Sequence, residues 1–338
     1  MKLGNVLAAA AVSVIAAFAT TGQALAEKSE ITIGRSHSFG VLQFLVMEHQ
    51  KLLEKHATAA GIGDLSVNWT VVAGANMMND GLISGAIDIV TAGVPGFLTL
   101  WSKARGTGNA VLGLGAMGSY PIYLNTRNPN VRTLADFTET DRIALPAVKV
   151  SIQAMLLQMA AAAEFGQENA NRLDHLTVSL SHPDAMAALL SPGSEITSHF
   201  ATIPFNFLEL EKPGITRVIS SYDILGGPAT MSLAYTTARF REANPKLTAV
   251  FLEAFREATR IINERPLDAV RMYLDVTGEK TDPQELLKML DHPEIAYTVP
   301  PENMMKLVDY MFKSGQITHH PASWKEMFVP ELHGESGS

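Results

Sequence analysis

Ile31-Thr32-Ile33-Gly34, then Arg35-Ser36-His37-Ser38-Phe39-Gly40, then Val41 to Thr58 with Val41, Leu45 and Leu52 at helical spacing, is the passage on which the fold turns. A short β-prone run, a polar loop and a helix make the repeating unit of α/β folds with largely parallel sheets. The unit recurs downstream. Leu65 to Val72 predicts a strand and Asn76 to Gly85 a helix; Ile87 to Thr91 and Gly96 to Ala104 repeat the pair. Val111 to Tyr123, apolar and glycine-rich, reads as a strand that leaves this lobe for a second one.

The second lobe repeats the alternation. Its strands are expected at Arg142 to Ala147, Leu176 to Leu180, Glu195 to Ala201 and Thr216 to Ser220. Its helices are expected at Ser151 to Phe165, Pro183 to Leu190 and Phe205 to Glu211. Met231 to Thr236 reads as the returning strand, so one boundary is crossed twice and the first lobe is discontinuous. The rest is helical. Leu247, Phe251, Ala254, Phe255, Ala258, Ile261 and Ile262 keep a single stripe between Asn244 and Glu264. Pro266 starts a further helix with Gly278 as its stop, Glu302 to Phe312 gives a last one, and His333 to Ser338 reads as an unstructured end.

A chain of 338 residues has room for two lobes and a large core. It contains no cysteine, which excludes disulfides, thiolate zinc sites, iron–sulfur clusters and cysteine nucleophiles. Its 26 Lys and Arg stand against 34 Asp and Glu, with no basic run, so a nucleic-acid partner is not expected. Residues 1–26 carry Lys2, an apolar stretch from Val6 to Ala19 and the small-x-small step Ala24-Leu25-Ala26, the pattern of a cleaved secretory leader. The expected location is a periplasm, without a lipid anchor because no cysteine is available to carry one.

Three stretches carry a resemblance. They are Ile31-Thr32-Ile33-Gly34 directly after the leader, Ser84-Gly85-Ala86-Ile87-Asp88-Ile89 with Gly93-Val94-Pro95, and Phe240-Arg241-Glu242-Ala243-Asn244-Pro245-Lys246 leading into a long helix that Arg265-Pro266-Leu267-Asp268-Ala269-Val270 extends. In order and spacing the chain resembles the periplasmic substrate-binding proteins of ABC importers of the nitrate, sulfonate and taurine group. The resemblance implies a type II periplasmic-binding-protein fold: two α/β lobes joined by two crossover strands, with the ligand in the cleft between them. A membrane permease as partner and a small-molecule solute as ligand go with it, and a monomer without cofactor is expected; a metal site is not, since His319-His320 are adjacent and His175 and His182 fall on separate predicted elements. The lobes would divide as residues 27–118, 119–226 and 227–338, the first and last forming one lobe.

In open α/β sheets ligands lie beyond the carboxyl ends of the strands, where helix N-termini offer unpaired N–H groups and a positive dipole end. The strand-to-helix loops therefore supply the candidate ligand contacts. They are Ser36, His37 and Phe39 in the first loop, Gly74 and Asn76 in the second, and Gly93 and Val94 in the third. The second lobe adds Lys149 and Ser151 at one helix start, and His199, Phe200 and Thr202 between a strand and a helix. Tyr120 and Tyr222 stand at the two crossings, where they would cover the ligand on closure. For several of these a structural role competes: Ser36 or Ser38 as a helix cap, Lys149 as a solvated surface lysine, Phe200 as core, and His199 as a satisfied polar residue under its loop.

The loops suit a small organic anion, a sulfonate or carboxylate, with the aromatic residues making room for its carbon part. A neutral thiamine-precursor pyrimidine is the alternative ligand. A pyrimidine synthase of related fold is the enzymatic alternative, but that resemblance calls for a cysteine-rich metal motif. The chain also lacks Gly-x-Ser-x-Gly, His-Glu-x-x-His and Gly-x-x-x-x-Gly-Lys motifs.

Overall fold

The computed structural model describes residues 27–36, 38–72 and 74–338. The leader expected over residues 1–26 and the candidate His37 lie outside the described residues. Ten strands follow in chain order: β1 (Glu30–Arg35), β2 (Ser66–Val71), β3 (Ile89–Gly93), β4 (Val111–Ala116), β5 (Tyr123–Thr126), β6 (Ile143–Leu145), β7 (Thr177–Ser179), β8 (Ser198–Ala201), β9 (Thr216–Ser220) and β10 (Ser232–Thr237).

They form two five-stranded sheets of the same plan, β2-β1-β3-β10-β4 and β7-β6-β8-β5-β9. In each, four strands share one direction and the fourth in order is antiparallel to both its neighbours, and that strand is the one that has just arrived from the other lobe. The two crossings run from β4 to β5 and from β9 to β10. The fold class expected from the sequence is the one the chain adopts. One expectation is refined: Val111 to Tyr123 spans β4 and the first residue of β5, strands of two sheets, with Gly118 between them at φ 96°.

The helices of the first lobe before the crossing are α1 (Leu42–Gln50), α2 (Leu52–Ala59), α3 (Ala75–Ser84) and α4 (Val94–Ala104). The predicted single helix from Val41 to Thr58 is broken because Lys51 adopts the left-handed conformation, φ 50°. The second lobe carries α5 (Ile152–Phe165), α6 (His182–Leu190), α7 (Phe205–Leu210) and α8 (Ser221–Leu225). After the return come α9 (Ala238–Ala243), α10 (Pro245–Glu264), α11 (Pro266–Thr277), α12 (Pro283–Leu290) and α13 (Met304–Lys313).

The predicted stripe of α10 is buried throughout, with Phe251 and Phe255 stacked at 5.7 Å and both edge-on to Phe44 of α1. Gly278 ends α11 at φ 72°, as expected. The chain end departs from expectation. The Ser338 amide donates to the Pro301 carbonyl at 2.9 Å, and the Ser338 carbonyl accepts the Met304 amide at 2.9 Å. The terminus thus satisfies a free N–H at the start of α13, which has no side-chain cap of its own.

The segment from Glu294 to Glu302 straps both crossings. Ser119 exchanges backbone hydrogen bonds with Ala296 at 2.7 and 2.9 Å, its hydroxyl donates to Glu302 at 2.6 Å, and the Thr230 amide donates to the Glu302 carbonyl at 2.8 Å. Gly118 sits under this strap at φ 96°, where a Cβ would collide with the Ala296 carbonyl.

Candidate functional site

Between the lobes lies a crevice of ≈ 1030 Å³. Three helix starts meet in it: Ala75 and Asn76 of α3, Pro95 and Gly96 of α4, and Ser151, which caps α5 by accepting the Ala154 amide. Neither α3 nor α4 has a side-chain cap. In the first turn of α4 the Val94 amide is taken by the Met231 carbonyl and Pro95 has no N–H, so the start of α3 and the Gly96 amide are what is left for a ligand or water, with the positive end of each helix dipole behind them.

The first two starts are latched together. A Cβ added to Gly96 would stand 2.5 Å from the Ala75 Cβ. Asn79 donates to the Gly96 carbonyl at 3.1 Å and accepts the Tyr235 hydroxyl at 2.6 Å. From the second lobe comes Lys149, exposed, with φ 69° and no ion-pair partner among the described residues. A lysine in left-handed backbone is uncommon, and such strain is concentrated at binding and catalytic positions. The crevice is also lined by Gln158, Asn171 and Asp174 from the second lobe and by Tyr310 and Gln316 from the first.

No protein-family model matches the sequence, and comparison with curated proteins finds no match. Solved structures do match. The alkanesulfonate-binding protein SsuA of Xanthomonas axonopodis pv. citri, bound to MOPS, superposes with a TM-score of 0.66 at 14% identity, over 87% of this chain and 96% of that one. The periplasmic aliphatic sulphonate binding protein SsuA of Escherichia coli gives 0.65 at 16% identity, over 91% and 100%. The periplasmic nitrate-binding protein NrtA of Synechocystis PCC 6803 gives 0.66 at 13%, over 88% and 83%. The chain has the periplasmic-binding-protein fold.

Within that fold the candidate residues separate into groups. Asn76, Lys149 and Ser151 come together on the crevice. Gly74 is exposed immediately before α3, with φ 80°. Gly93 lies where the lobes touch: a Cβ there would be 3.7 Å from the Ile152 Cβ. Ser36 is half-buried at the carboxyl end of β1, and the capping role falls to Ser38, whose hydroxyl accepts the Gly40 amide at 3.0 Å.

The others face inward. Val94 is buried and its amide donates to the Met231 carbonyl at 3.1 Å. Phe39 is buried edge-on against Tyr273 at 4.8 Å, and Phe200 is wholly in the core. Thr202 is buried, with its carbonyl accepting the Asn206 amide at the start of α7. Tyr120 and Tyr222 serve the hinge as struts: Tyr120 bonds the Ser232 hydroxyl at 3.0 Å and Tyr222 donates to the Glu294 carbonyl at 2.8 Å. Burial pushes the Tyr120 hydroxyl up to about 12.

His199 is fully buried, and both its ring nitrogens are engaged. Its Nδ1 is 2.5 Å from Glu209 Oε1, and its Nε2 is 2.8 Å from His182 Nδ1; His182 Nε2 is 3.3 Å from the Gln153 amide. Asn125 donates to the other Glu209 oxygen at 2.9 Å. Every contact finds a donor and an acceptor if Gln153 donates to His182, His182 to His199 and His199 to Glu209, an assignment made from the network. Burial, then the neighbouring His199, holds the His182 imidazole well below its usual range. The chain of four stitches α5, α6, α7 and β8 together. It is a lobe-internal support.

Sequence reasoning missed Asn79, Thr99, Gln158, Asn171, Asp174 and Tyr310. Four-residue and three-residue steps from the helix starts, Asn76 to Asn79, Pro95 to Thr99 and Ser151 through Met155 to Gln158, carried a usable signal for three of them. Asp174 and Tyr310 carried none, since only folding brings them near. Among the described residues no cluster of three or more His, Asp or Glu side chains could hold a metal, and no helix is long and apolar enough to cross a membrane.

Proposed function

We propose that this protein is an extracytoplasmic solute receptor that holds a small organic anion, a sulfonate or carboxylate, in the crevice and presents it to a membrane ABC permease. The leader delivers it to the periplasm, where it works as a monomer and carries out no chemistry of its own. The observation that carries this reading is the convergence of three helix starts and one unpaired lysine, contributed by two lobes, on a single crevice. Backbone N–H groups and dipoles hold an anion without a cluster of arginines, which suits a chain with more acidic than basic residues. The likeness to binding proteins of sulfonate and nitrate importers supports the reading at the level of fold.

Titration calorimetry of the full chain against alkanesulfonates, aromatic carboxylates, nitrate and hydroxymethylpyrimidine tests it. Micromolar affinity corresponds to about −8 kcal/mol, within reach of a few hydrogen bonds to a charged group less the cost of association. Binding of a sulfonate or carboxylate, weakened about tenfold or more by Lys149→Ala, is the expected result. Binding of the neutral pyrimidine alone would overturn the anion assignment.

A further inference from the structure

We propose that the second lobe holds a proton site, the buried pair of His199 and Glu209, which His182 connects to Gln153 at the start of α5, and that this site fills as the crevice takes up its anion. This rests on the receptor reading above and adds its regulation by pH.

The site is defined by what surrounds the carboxylate. Glu209 is wholly buried, and His199 is its one ion-pair partner among the described residues. The pair is faced by His182 from α6 and Asn125 from β5, with Gln153 of α5 behind His182 and the uncharged Ala144 of β6 in register with His199. Lys149 ahead of α5, Asp184 of α6 and Glu211 after α7 are exposed and bond to none of these groups. While His199 is neutral, Glu209 is therefore a buried charge without a counter-ion, a costly arrangement.

The relay has a place for the missing proton. In the arrangement described above, Gln153 donates to His182 Nε2, His182 Nδ1–H to His199 Nε2, and His199 Nδ1–H to Glu209. A solvent proton that attaches at His182 Nε2 lets the Nδ1 proton pass across 2.8 Å to His199 Nε2. His199 then carries both ring protons beside Glu209. Burial, then the charge on His199, keeps His182 neutral, now as the opposite tautomer. Its Nε2–H needs an acceptor, which Gln153 supplies by turning its carboxamide over. Both arrangements satisfy every contact in the relay; they differ by one proton and by the group Gln153 presents.

Gln153 is the link to the crevice. It is the second residue of α5, whose cap Ser151 lines the crevice and whose first residue, Ile152, meets Gly93 of the first lobe. An anion at this helix start is repelled by an uncompensated Glu209 and not by the neutral pair, since a protein interior screens charge weakly. Proton and anion therefore favour each other's binding, by the same factor in each direction.

Two measurements on the full chain test this. In nitrogen-15 NMR of the histidine-labelled protein without ligand, acidification from about pH 8 to about pH 5 should move the His182 proton from Nδ1 to Nε2 while His199 becomes doubly protonated. A His182 that keeps one tautomer throughout, or a His199 that never carries both protons, would overturn the relay, whatever the protein binds. In calorimetry with ethanesulfonate and with benzoate, affinity should rise about fivefold or more from about pH 8 to about pH 6, with a heat that varies with the ionisation enthalpy of the buffer. Glu209→Gln removes the charge and should abolish that slope; Gln153→Met removes the acceptor for His182 and should move the slope to lower pH, a second reading if Glu209→Gln fails to fold. A pH-independent affinity, or a slope that survives Glu209→Gln and vanishes with His175→Gln in the crevice lining, would overturn the coupling and leave the receptor reading standing. Binding of neither acid at any pH would overturn the coupling together with the anion reading.

Discussion

Gly96→Ala isolates the contact on which the anion site of the crevice is built. A methyl placed at Gly96 lies 2.5 Å from the Ala75 Cβ, while two carbons rest at about 3.5–4.0 Å. The start of α3 must therefore withdraw from that of α4 by about 1 Å or more. Neither methyl can rotate away, since both are Cβ atoms fixed by the backbone. Overpacking of this kind costs about 1–3 kcal/mol, and the Asn79 bond to the Gly96 carbonyl, worth about 1 kcal/mol, is strained with it. Alanine's better helix propensity returns up to about 1 kcal/mol, so the net loss should be about 1–2 kcal/mol. That lowers the melting temperature by a few degrees, and anion affinity should fall about tenfold because the α3 start and the Gly96 amide no longer converge. Ala75→Gly removes the opposing methyl, so the double variant should regain most of both losses. Differential scanning calorimetry and ligand titration on the four proteins of this cycle check it. A single variant as stable and as tight-binding as the parent, or a double variant no better than the single, would refute the reasoning.

Glu209→Ala strips His199 and Asn125 of their buried acceptor and should cost about 3–5 kcal/mol, read as a shift in the urea midpoint with the slope unchanged. His182 stays neutral in the fold, whereas the unfolded chain takes up a proton near the ordinary value of about 6.5. Folding stability should therefore fall as pH drops below that value, and His182→Asn should flatten this part of the pH profile in denaturant titrations from pH 7.5 to 5. Gly118→Ala combines left-handed backbone with a collision against the Ala296 carbonyl. It should destabilise by about 2 kcal/mol or more in thermal melts, since the strap across the crossings cannot stay seated.

The two sheets were legible because each strand is a short apolar run between turn residues, a signal that needs no tertiary context. The returning strand β10 was legible in the run Met231 to Thr236, but its antiparallel direction was not. Short helices were harder. α8 occupies residues for which no helix was expected, although Ser220-Ser221-Tyr222-Asp223 spells the capping box that holds its start. α9 and α12 also passed unread, as neither carries an apolar stripe long enough to stand out.

Position beyond a strand puts Asn76, Lys149 and Ser151 on the crevice, at or just before helix starts. His199 and Phe200 belong to β8 itself and lie off it. A strand turns its side chains to opposite faces, so His199 points into the Glu209 and His182 network and Phe200 into the core. Tyr120 and Tyr222 lie at the crossings as expected, but the strap from Glu294 to Glu302 was not foreseen, and it takes the Tyr222 hydroxyl. Residues distant in sequence determine such contacts, and no local pattern records them.

A crystal structure of the protein purified with its own bound solute bears most directly on the central claim. The account expects density for an acid group against the starts of α3 and α4 and the Lys149 side chain, touched by residues of both lobes. Solute density elsewhere on the molecule, or in a site formed by one lobe alone, would contradict it.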